Sequence, residues 1–266
     1  MTTYGRLLLT GAAGGLGRVL RPAMREWATH LRVSDIAKLG RAGPGEELVR
    51  CDLANEKAMR KLLEGVDAVV HMGGISSDQP WKPILQGNII GVYNLYESAR
   101  IHGTRRIVFA SSNHAIGFYP RKQVIDANDP VRPDSLYGVS KTFGESISRF
   151  YYDRYGIETA CLRIGSAFPE PKDRRMLVTW LSYADLTSLV HACLTVPKLG
   201  HTIVFGASAN RDKWWDNKLA KHLRWKPRDD TERFRKAREA DPRKDPKSPA
   251  ERFQGGAYVM SGPYDE

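Results

Sequence analysis

The sequence predicts an α/β fold in which helices cover both faces of a parallel β-sheet. Short apolar segments alternate with longer segments of helical periodicity through the first 164 residues. A glycine-rich turn separates the first apolar segment from the first helical one. The chain has 266 residues, of which 41% are hydrophobic and 27% charged, so it can form one large domain with an ordinary core.

The segments follow one another in the order that such a sheet needs. Residues 6–10 (RLLLT) are aliphatic and end at a glycine, as in a buried strand, and residues 15–27 have the apolar spacing of a helix. Further strands are expected at 31–34, 48–51, 67–71, 106–110 and 159–164, and helices at 56–63, 84–102 and 137–155. Residues 117–133 contain three prolines and no periodicity, which predicts a loop.

The last hundred residues contain shorter segments. Helices are expected at 184–195, 214–223 and 231–239, and a strand at 202–205. We therefore expect a core at 1–166 and a small region at 167–266 that packs on the carboxyl edge of the sheet and is not an independent domain. Open α/β sheets place their ligands at that edge.

The net charge of +11 allows an anionic partner. Residues 211–253 hold 15 Lys or Arg but also nine Asp or Glu. Their mixed signs, without zinc-ligand spacing or interleaved aromatic residues, favour a solvated surface. Nucleic-acid binding is the weaker alternative, and we expect none.

Membrane insertion and secretion are not expected either. The sequence has no apolar run near the roughly 20 residues of a membrane helix, and its start becomes glycine-rich before a signal-peptide core could form. The three cysteines, Cys51, Cys161 and Cys193, are far apart, which argues against a CxxC metal site and a disulfide framework. The sequence therefore predicts a cytoplasmic protein without a bound metal.

The sequence LLLTGAAGGLG at residues 7–17 places a GxxGxxG motif between the first strand and the first helix. Gly11 permits a tight turn, Gly14 lets backbone N–H groups approach a pyrophosphate, and Gly17 allows the helix to pack close to the strand. The amino end of the helix, at Gly15 and Leu16, adds partial positive charge. The expected fold is thus Rossmann-type, a doubly wound parallel sheet.

Asp35 indicates which dinucleotide binds. It ends the second predicted strand, where a carboxylate can accept both ribose hydroxyls and repels a 2′-phosphate, so NAD is favoured over NADP. The nearby Arg32 and Lys38 could soften that preference. Asp52 and Leu53, after the third strand, are placed at the adenine edge, although Asp52 could equally be a strand-terminating residue.

A second motif, Tyr137-Gly138-Val139-Ser140-Lys141, places Tyr137 and Lys141 on one helix face. A neighbouring ammonium stabilises a phenolate and can bring the pKa of tyrosine into working range for a base. Ser112, in the SSNH run at the end of an earlier strand, can hydrogen-bond the reacting oxygen. Together with the glycine motif, these residues form a constellation that is much more specific than either part.

With both motifs, the chain resembles the extended, sugar-modifying branch of the short-chain dehydrogenase/reductase superfamily over nearly its whole length. More narrowly, the blocks HMGGIS (71–76), QGNIIGVYNLYESAR (86–100), FASSNHAIGFYP (109–120), RPDSLYGVSK (132–141), RIGSAFPEP (163–171) and RMLVTW (175–180) resemble the bacterial uronate dehydrogenase family. The WWDN block at 214–217 does so too. The resemblance implies NAD-dependent oxidation of D-galacturonate or D-glucuronate at C1 to the aldarolactone, a small C-terminal substrate region and a homo-oligomer.

The resemblance also implies the site residues. It makes Tyr137 the base, Lys141 its partner and ribose ligand, and Ser112 the anchor for the C1 oxygen. The substrate-binding set is Ser76, Ser112, Asn113, His114, Tyr137, Ser166 and Arg175. The cofactor-binding set is Gly11, Gly14, Gly15, Leu16, Gly17, Asp35, Asp52, Leu53, Met72, Gly73, Gly74, Asn88, Tyr137, Lys141 and Ile164.

Several of these residues have alternatives. Arg175 matches the family's carboxylate-binding arginine, whose planar fork can form two parallel hydrogen bonds, but Arg174 competes for that role. Asn88 is secondary, because it could orient its helix or a water instead. His71 is expected to be structural, and the Trp214-Trp215 pair is expected to pack as core and not to wall the sugar site.

Two other functions remain open from the sequence. A nucleotide-sugar epimerase or dehydratase shares the cofactor chemistry, but usually needs a larger terminal domain than the 100 residues after Ser166. An NAD-sensing binding protein is the alternative outside the enzymes. Such sensors tend to lose the Tyr-Lys pair, which this chain keeps.

Overall fold

The computed structural model describes residues 4–242, 245–262 and 264. Seven strands pair in parallel, in the order β3-β2-β1-β4-β5-β6-β9. They are β1 (Tyr4–Thr10), β2 (Ala28–Asp35), β3 (Glu46–Arg50), β4 (Ala68–His71), β5 (Arg106–Ser112), β6 (Glu158–Ile164) and β9 (His201–Gly206). The short strands β7 (Ser166–Ala167) and β8 (Trp180–Leu181) pair separately. The predicted parallel sheet is confirmed.

The helices connect these strands and follow the sheet into the C-terminal region. They are α1 (Gly15–Met24), α2 (Glu56–Leu62), α3 (Trp81–Ile84), α4 (Gly91–His102), α5 (Leu136–Tyr155), α6 (Met176–Thr179), α7 (Tyr183–Thr195), α8 (Glu232–Glu239) and α9 (Pro249–Arg252). Short 3₁₀ segments occur at Arg25–Trp27, Asn113–Ile116, Lys218–Leu223 and Gly256–Met260.

Successive side chains along each strand point to opposite faces of the sheet, so the core has two layers. In β1, Leu7 and Leu9 face a cluster that includes side chains of α1 and α7, whereas Leu8 faces a second cluster built with α2, α4 and α5. All three leucines are fully buried, and burying each contributes about 1.5–3 kcal/mol. Helices thus cover both faces, and the strand order reverses between β1 and β4, where such sheets bind ligands.

Two predicted helices differ from the structure. The helix expected at 84–102 is interrupted by a π-helical segment, Leu85–Ile90, between α3 and α4. The helix expected at 214–223 was wrong in its first half. There the backbone N–H of Ile125 donates to the Trp214 carbonyl (3.0 Å) and the N–H of Asp216 donates to the Ile125 carbonyl (2.9 Å), so Trp215 forms a β-bridge with Ile125 and helical turns begin only at Lys218.

The region after residue 166 is built into the sheet as well as onto its edge. Its strand β9 pairs with β6, and α7 packs against α1 and β5. The division at residue 166 stays a prediction. No helix among the described residues is both long and apolar enough to cross a membrane.

Candidate active site

A cavity of about 930 Å³ opens at the carboxyl ends of the central strands. It is lined by every predicted site residue except Asn88. The glycine loop and Asp35 lie on its walls together with Tyr137, Lys141 and Arg175. The structure therefore brings the expected cofactor, catalytic and substrate residues into one space, while their individual roles stay predictions.

The glycine loop has the close contacts that its motif predicts. Gly11 has a φ of +68°, and a Cβ there would lie 2.5 Å from the Met72 carbonyl group. A Cβ at Gly17 would lie 2.0 Å from the Gly11 carbonyl oxygen. Side chains at either position would push the loop away from β4 or α1.

The amino end of α1 fits a pyrophosphate. Its N-cap, Gly14, has no side chain to cap the helix, and the first turn carries no acidic residue. The first N–H groups of a helix lack intrahelical acceptors, and the helix dipole favours an anion there. These residues fit the phosphates of a dinucleotide.

Asp35 lies where a ribose-binding carboxylate is expected. Its Oδ2 accepts from the backbone N–H of Ala13 (3.0 Å) and its Oδ1 from that of Ala37 (2.9 Å), which fixes it beside the glycine loop. Arg32 points elsewhere, since its guanidinium pairs with Glu47 (2.7 Å) and donates to the Leu62 carbonyl. Arg32 therefore does not offset the charge of Asp35 in the cavity.

The Tyr137, Lys141 and Ser112 side chains meet at the centre of the cavity. The Lys141 ammonium donates to the Ala110 carbonyl (2.9 Å) and lies 5.3 Å from the centre of the Tyr137 ring. Ser112 ends β5, and its hydroxyl accepts from the backbone N–H of His114 (3.2 Å). Both Tyr137 and Lys141 come from the first two turns of α5, which Ser135 caps.

The pKa values at this centre correct one expectation. Burial raises the pKa of Tyr137, although its hydrogen bond with Ser112 works in the opposite direction. Burial also lowers the pKa of Lys141 to about 8. In the protein alone, burial therefore shifts both pKa values against the charged forms, and the predicted lowering of the Tyr137 pKa is not seen in this state.

A buried network beneath the site was missed by the sequence analysis. The Ser111 hydroxyl donates to Oε1 of Glu145 (2.6 Å), and Arg163 donates to both oxygens of that carboxylate (3.0 and 2.9 Å). Glu145 lies one helical turn after Lys141, and Ser111 precedes Ser112. The network therefore ties α5 to β5 and β6 at the level of the catalytic side chains.

Asn88 does not reach the cavity. Its amide accepts from the backbone N–H of Ile75 (2.7 Å), donates to the Ile75 carbonyl (3.0 Å) and donates to the Ser140 hydroxyl (2.8 Å). It thus ties the loop after β4 to α5. A Cβ at Gly74 would lie 2.5 Å from Oδ1 of Asn88. The loop after β4 can therefore approach Asn88 this closely only because residue 74 is a glycine.

Arg175 lines the cavity without an acidic partner among the described residues. Its Nε donates to the Gln254 carbonyl (2.7 Å), and Asn113 accepts from its Nη2 (2.6 Å) in the amide orientation that also lets Asn113 donate to Ile164. Within the described ranges no carboxylate pairs with it. Burial lowers its pKa to about 10. Ser166, on β7, lies 3.4 Å from its Nη1.

The neighbouring Arg174 faces away from the cavity. Its guanidinium donates to the backbone carbonyls of Glu239 and Asp241 and so anchors the end of α8. Of the two arginines considered from the sequence, the structure places Arg175 alone in the wall of the cavity.

The sequence analysis also missed Tyr258, in the last 3₁₀ segment. Its ring stacks on His114 with 3.8 Å between centroids and lines the cavity. The exposed Ser76 lines the same space from the loop after β4. Nothing in the local sequence around Tyr258 indicates this contact, because it depends on the return of the C-terminal segment to β5.

The residues expected to be structural do not line the cavity. Nδ1 of His71 forms a hydrogen bond with the Thr10 hydroxyl (2.7 Å), and the ring is fully buried. Trp215 packs with Phe205, Ile116 and other apolar side chains, and neither it nor Trp214 lines the cavity. The core interpretation is confirmed for Trp215, while Trp214 is partly buried against the same cluster.

Comparisons with known proteins agree with this arrangement. The model of the NAD dependent epimerase/dehydratase family matches residues 7–193. The uronate dehydrogenase of Pseudomonas syringae pv. tomato is 53% identical over 266 residues, which are 100% of this chain and 97% of the relative.

Two solved structures superpose over almost the whole chain. One is a uronate dehydrogenase variant from Agrobacterium tumefaciens complexed with NAD, with a TM-score of 0.96, 51% identity, and coverage of 99% of this chain and 100% of that one. The other is the glucuronic acid dehydrogenase from Chromohalobacter salexigens, with a TM-score of 0.95, 51% identity and 97% coverage of both chains. The chain therefore belongs to the NAD-dependent epimerase/dehydratase family and, within it, to the uronate dehydrogenases, which confirms the predicted enzyme class and NAD as cofactor.

Proposed function

We propose that this enzyme oxidises D-galacturonate and D-glucuronate at C1 to the corresponding aldarolactones. The observation that carries the proposal is Arg175. A largely enclosed guanidinium without an acidic partner among the described residues lies in the same cavity as Tyr137 and Lys141. A buried cation is costly unless a ligand pairs with it, so a substrate carboxylate is the matching group.

The binding of the ring begins at Arg175. Its Nε and one Nη2 donor are engaged by protein acceptors, which leaves N–H groups on both terminal nitrogens. A carboxylate can accept from that edge in a bidentate arrangement. Asn113 holds the guanidinium in place, and His114 and Ser166 are the polar groups beside it.

The chemical step takes place at the other end of the ring. The Tyr137 phenolate accepts the proton of the C1 hydroxyl, and the Ser112 hydroxyl donates to the same oxygen as its C–O bond becomes a carbonyl. Lys141 holds its ammonium beside the phenolate from its bond to the Ala110 carbonyl. When bound, NAD would accept the hydride that leaves C1, and its positively charged nicotinamide ring would favour the phenolate.

The residues that line the cavity indicate how NAD would be held. The amino end of α1 takes the pyrophosphate, and Asp35 takes the adenosine ribose hydroxyls. Met72, Gly73 and Gly74 line the path between them and Tyr137. Asp35 also disfavours a 2′-phosphate, since two anions would meet there.

The product identifies the reaction. The purified enzyme is incubated with NAD and D-galacturonate or D-glucuronate labelled with ¹³C at C1, and the label is followed by NMR. We expect the anomeric signals to be replaced by a lactone carbonyl signal, with one NADH formed per sugar. A label that stays anomeric while NAD binds tightly would contradict the proposal and favour a nucleotide-sugar enzyme or an NAD sensor.

A further inference from the structure

The Asp134 carboxylate is buried directly behind His114. The side chain is 0% exposed, and its Oδ2 lies 2.8 Å from Nδ1 of His114. Its Oδ1 accepts from the Ser135 hydroxyl (2.9 Å). Asp134 does not line the cavity, and among the described residues His114 is the one cavity side chain that its carboxylate hydrogen-bonds.

Two glycines from distant parts of the chain make room for this carboxylate. A Cβ at Gly117 would lie 1.7 Å from Oδ2 of Asp134, and a Cβ at Gly255 would lie 1.9 Å from it. The backbone N–H of Gly255 donates to the Gly117 carbonyl (2.8 Å) and holds the two segments together. The C-terminal segment therefore completes a close-fitting site around Asp134.

The contact determines where the His114 ring carries its proton. An ionised carboxylate only accepts, so a hydrogen bond at Nδ1 requires a proton on that nitrogen. Burial lowers the pKa of His114, while Asp134 raises it. In the neutral ring Nε2, on the opposite edge from Asp134, keeps its lone pair. The stacked Tyr258 ring holds this orientation.

We propose that Asp134 is a positioning residue that keeps His114 in its Nδ1-protonated tautomer, so that Nε2 accepts a hydrogen bond from a hydroxyl of the sugar. The inference rests on the proposed function, because the hydroxyl belongs to the uronate ring. An acceptor at this position selects ligands that bring a donor, since a sugar without that hydroxyl would leave Nε2 unpaired.

The tautomer can be measured without turnover. The protein labelled with ¹⁵N-histidine is examined by long-range ¹H–¹⁵N correlation at neutral pH, and His114 is identified among the seven histidines by its loss in His114→Gln. We expect an Nδ1–H tautomer in the wild type and a shift toward Nε2–H in Asp134→Asn. An Nε2–H tautomer in the wild type, or no change in the variant, would overturn the inference.

The kinetic consequence is a selective loss of sugar affinity. For Asp134→Asn we expect the KM for D-galacturonate to rise roughly 5- to 30-fold, with kcat changed much less. The Kd for NAD should stay unchanged. The double variant with His114→Gln should lose little more than His114→Gln alone, because Asp134 acts through that ring. Additive losses would contradict the inference.

Asp185→Asn is the matched control. Asp185 is also buried and accepts from the Ser208 hydroxyl (2.7 Å) and the backbone N–H of Arg228 (2.8 Å), away from His114. We expect it to lower Tm while leaving the KM for the sugar unchanged. If Asp185→Asn raised that KM as much as Asp134→Asn, loss of a buried carboxylate alone would explain the effect and the inference would fail.

Gly255→Ala tests the same site if Asp134→Asn does not fold. Its added methyl group displaces the carboxylate, so the KM should rise in the same direction, and an unchanged KM would count against the inference. Failure of the proposed function is seen separately, as a wild type that does not oxidise uronates. The wild-type tautomer is then still measurable.

Discussion

Replacement of Arg175 by methionine removes the proposed carboxylate ligand and keeps the approximate length of the side chain. Arg175 offers N–H groups on both terminal nitrogens, and its surroundings exclude much of the water that would replace them. Loss of one partner of a buried, hydrogen-bonded ion pair costs about 2–5 kcal/mol. At 1.4 kcal/mol per factor of ten, kcat/KM for D-galacturonate should fall roughly 30- to 4,000-fold.

Arg175→Lys should give an intermediate loss of about tenfold, because the charge stays while the planar fork is lost. The assay is NADH formation over a range of uronate concentrations at saturating NAD, with NAD affinity measured separately by fluorescence titration. NAD affinity should change little in both variants. Arg174→Met is the matched control, since its guanidinium contacts carbonyls of the α8 end and not the cavity.

Stability supplies a second readout for the same substitution. The half-buried Arg175 cation has no ion pair to a described carboxylate, which costs free energy in the absence of substrate. The free energy of unfolding of Arg175→Met should therefore equal or exceed that of the wild type, despite the lost bond to the Gln254 carbonyl. Equal uronate losses in Arg174→Met and Arg175→Met, or a normal KM in Arg175→Met, would refute the reasoning.

Three further substitutions test other parts of the account. Tyr137→Phe should bind NAD normally and give no measurable NADH in a spectrophotometric assay, and retained turnover would exclude Tyr137 as the base. Gly17→Ala should weaken NAD binding and lower Tm, because its methyl group would lie 2.0 Å from the Gly11 carbonyl oxygen; unchanged NAD affinity by titration would contradict the packing argument. Burial lowers the pKa of His71 to about 3. Between its unfolded value, about 6.5, and that folded value, the unfolded chain binds the extra proton, so stability falls as the pH falls. His71→Asn should flatten this acid dependence in urea unfolding experiments, and an unchanged slope would contradict it.

Most of the sheet could be predicted because its signals are local. Buried strands such as 6–10 are short aliphatic runs, and the amphipathic helices between them repeat at 3.6 residues. The glycine motif and the Tyr137-Lys141 spacing are also local, so the sequence predicted residues that the structure places in the wall of one cavity.

The substrate side depends on contacts that no local pattern records. Tyr258 reaches His114, and Gly255 reaches Asp134, only because the C-terminal segment returns to β5. Asn88 was placed among the cofactor ligands by the family resemblance, with an orienting role in its helix as the alternative. The π-helical segment instead carries its amide to Ile75 and Ser140.

The pKa of Tyr137 could not be read from spacing for a related reason. The separation of Tyr137 and Lys141 along the helix determines that they are neighbours. It does not determine how completely both are desolvated, and burial decides the direction of both shifts.

In the proposed mechanism, one cavity couples a carboxylate-binding arginine to NAD-dependent oxidation. The most direct measurement compares NADH absorbance with D-galacturonate, D-glucuronate, galactose and glucose, for the wild type and for Arg175→Met. We predict rapid NADH formation from both uronates, little from the neutral sugars, and loss of that preference in the variant. Equal rates with uronates and neutral sugars, or no NADH from any of them despite tight NAD binding, would contradict the claim.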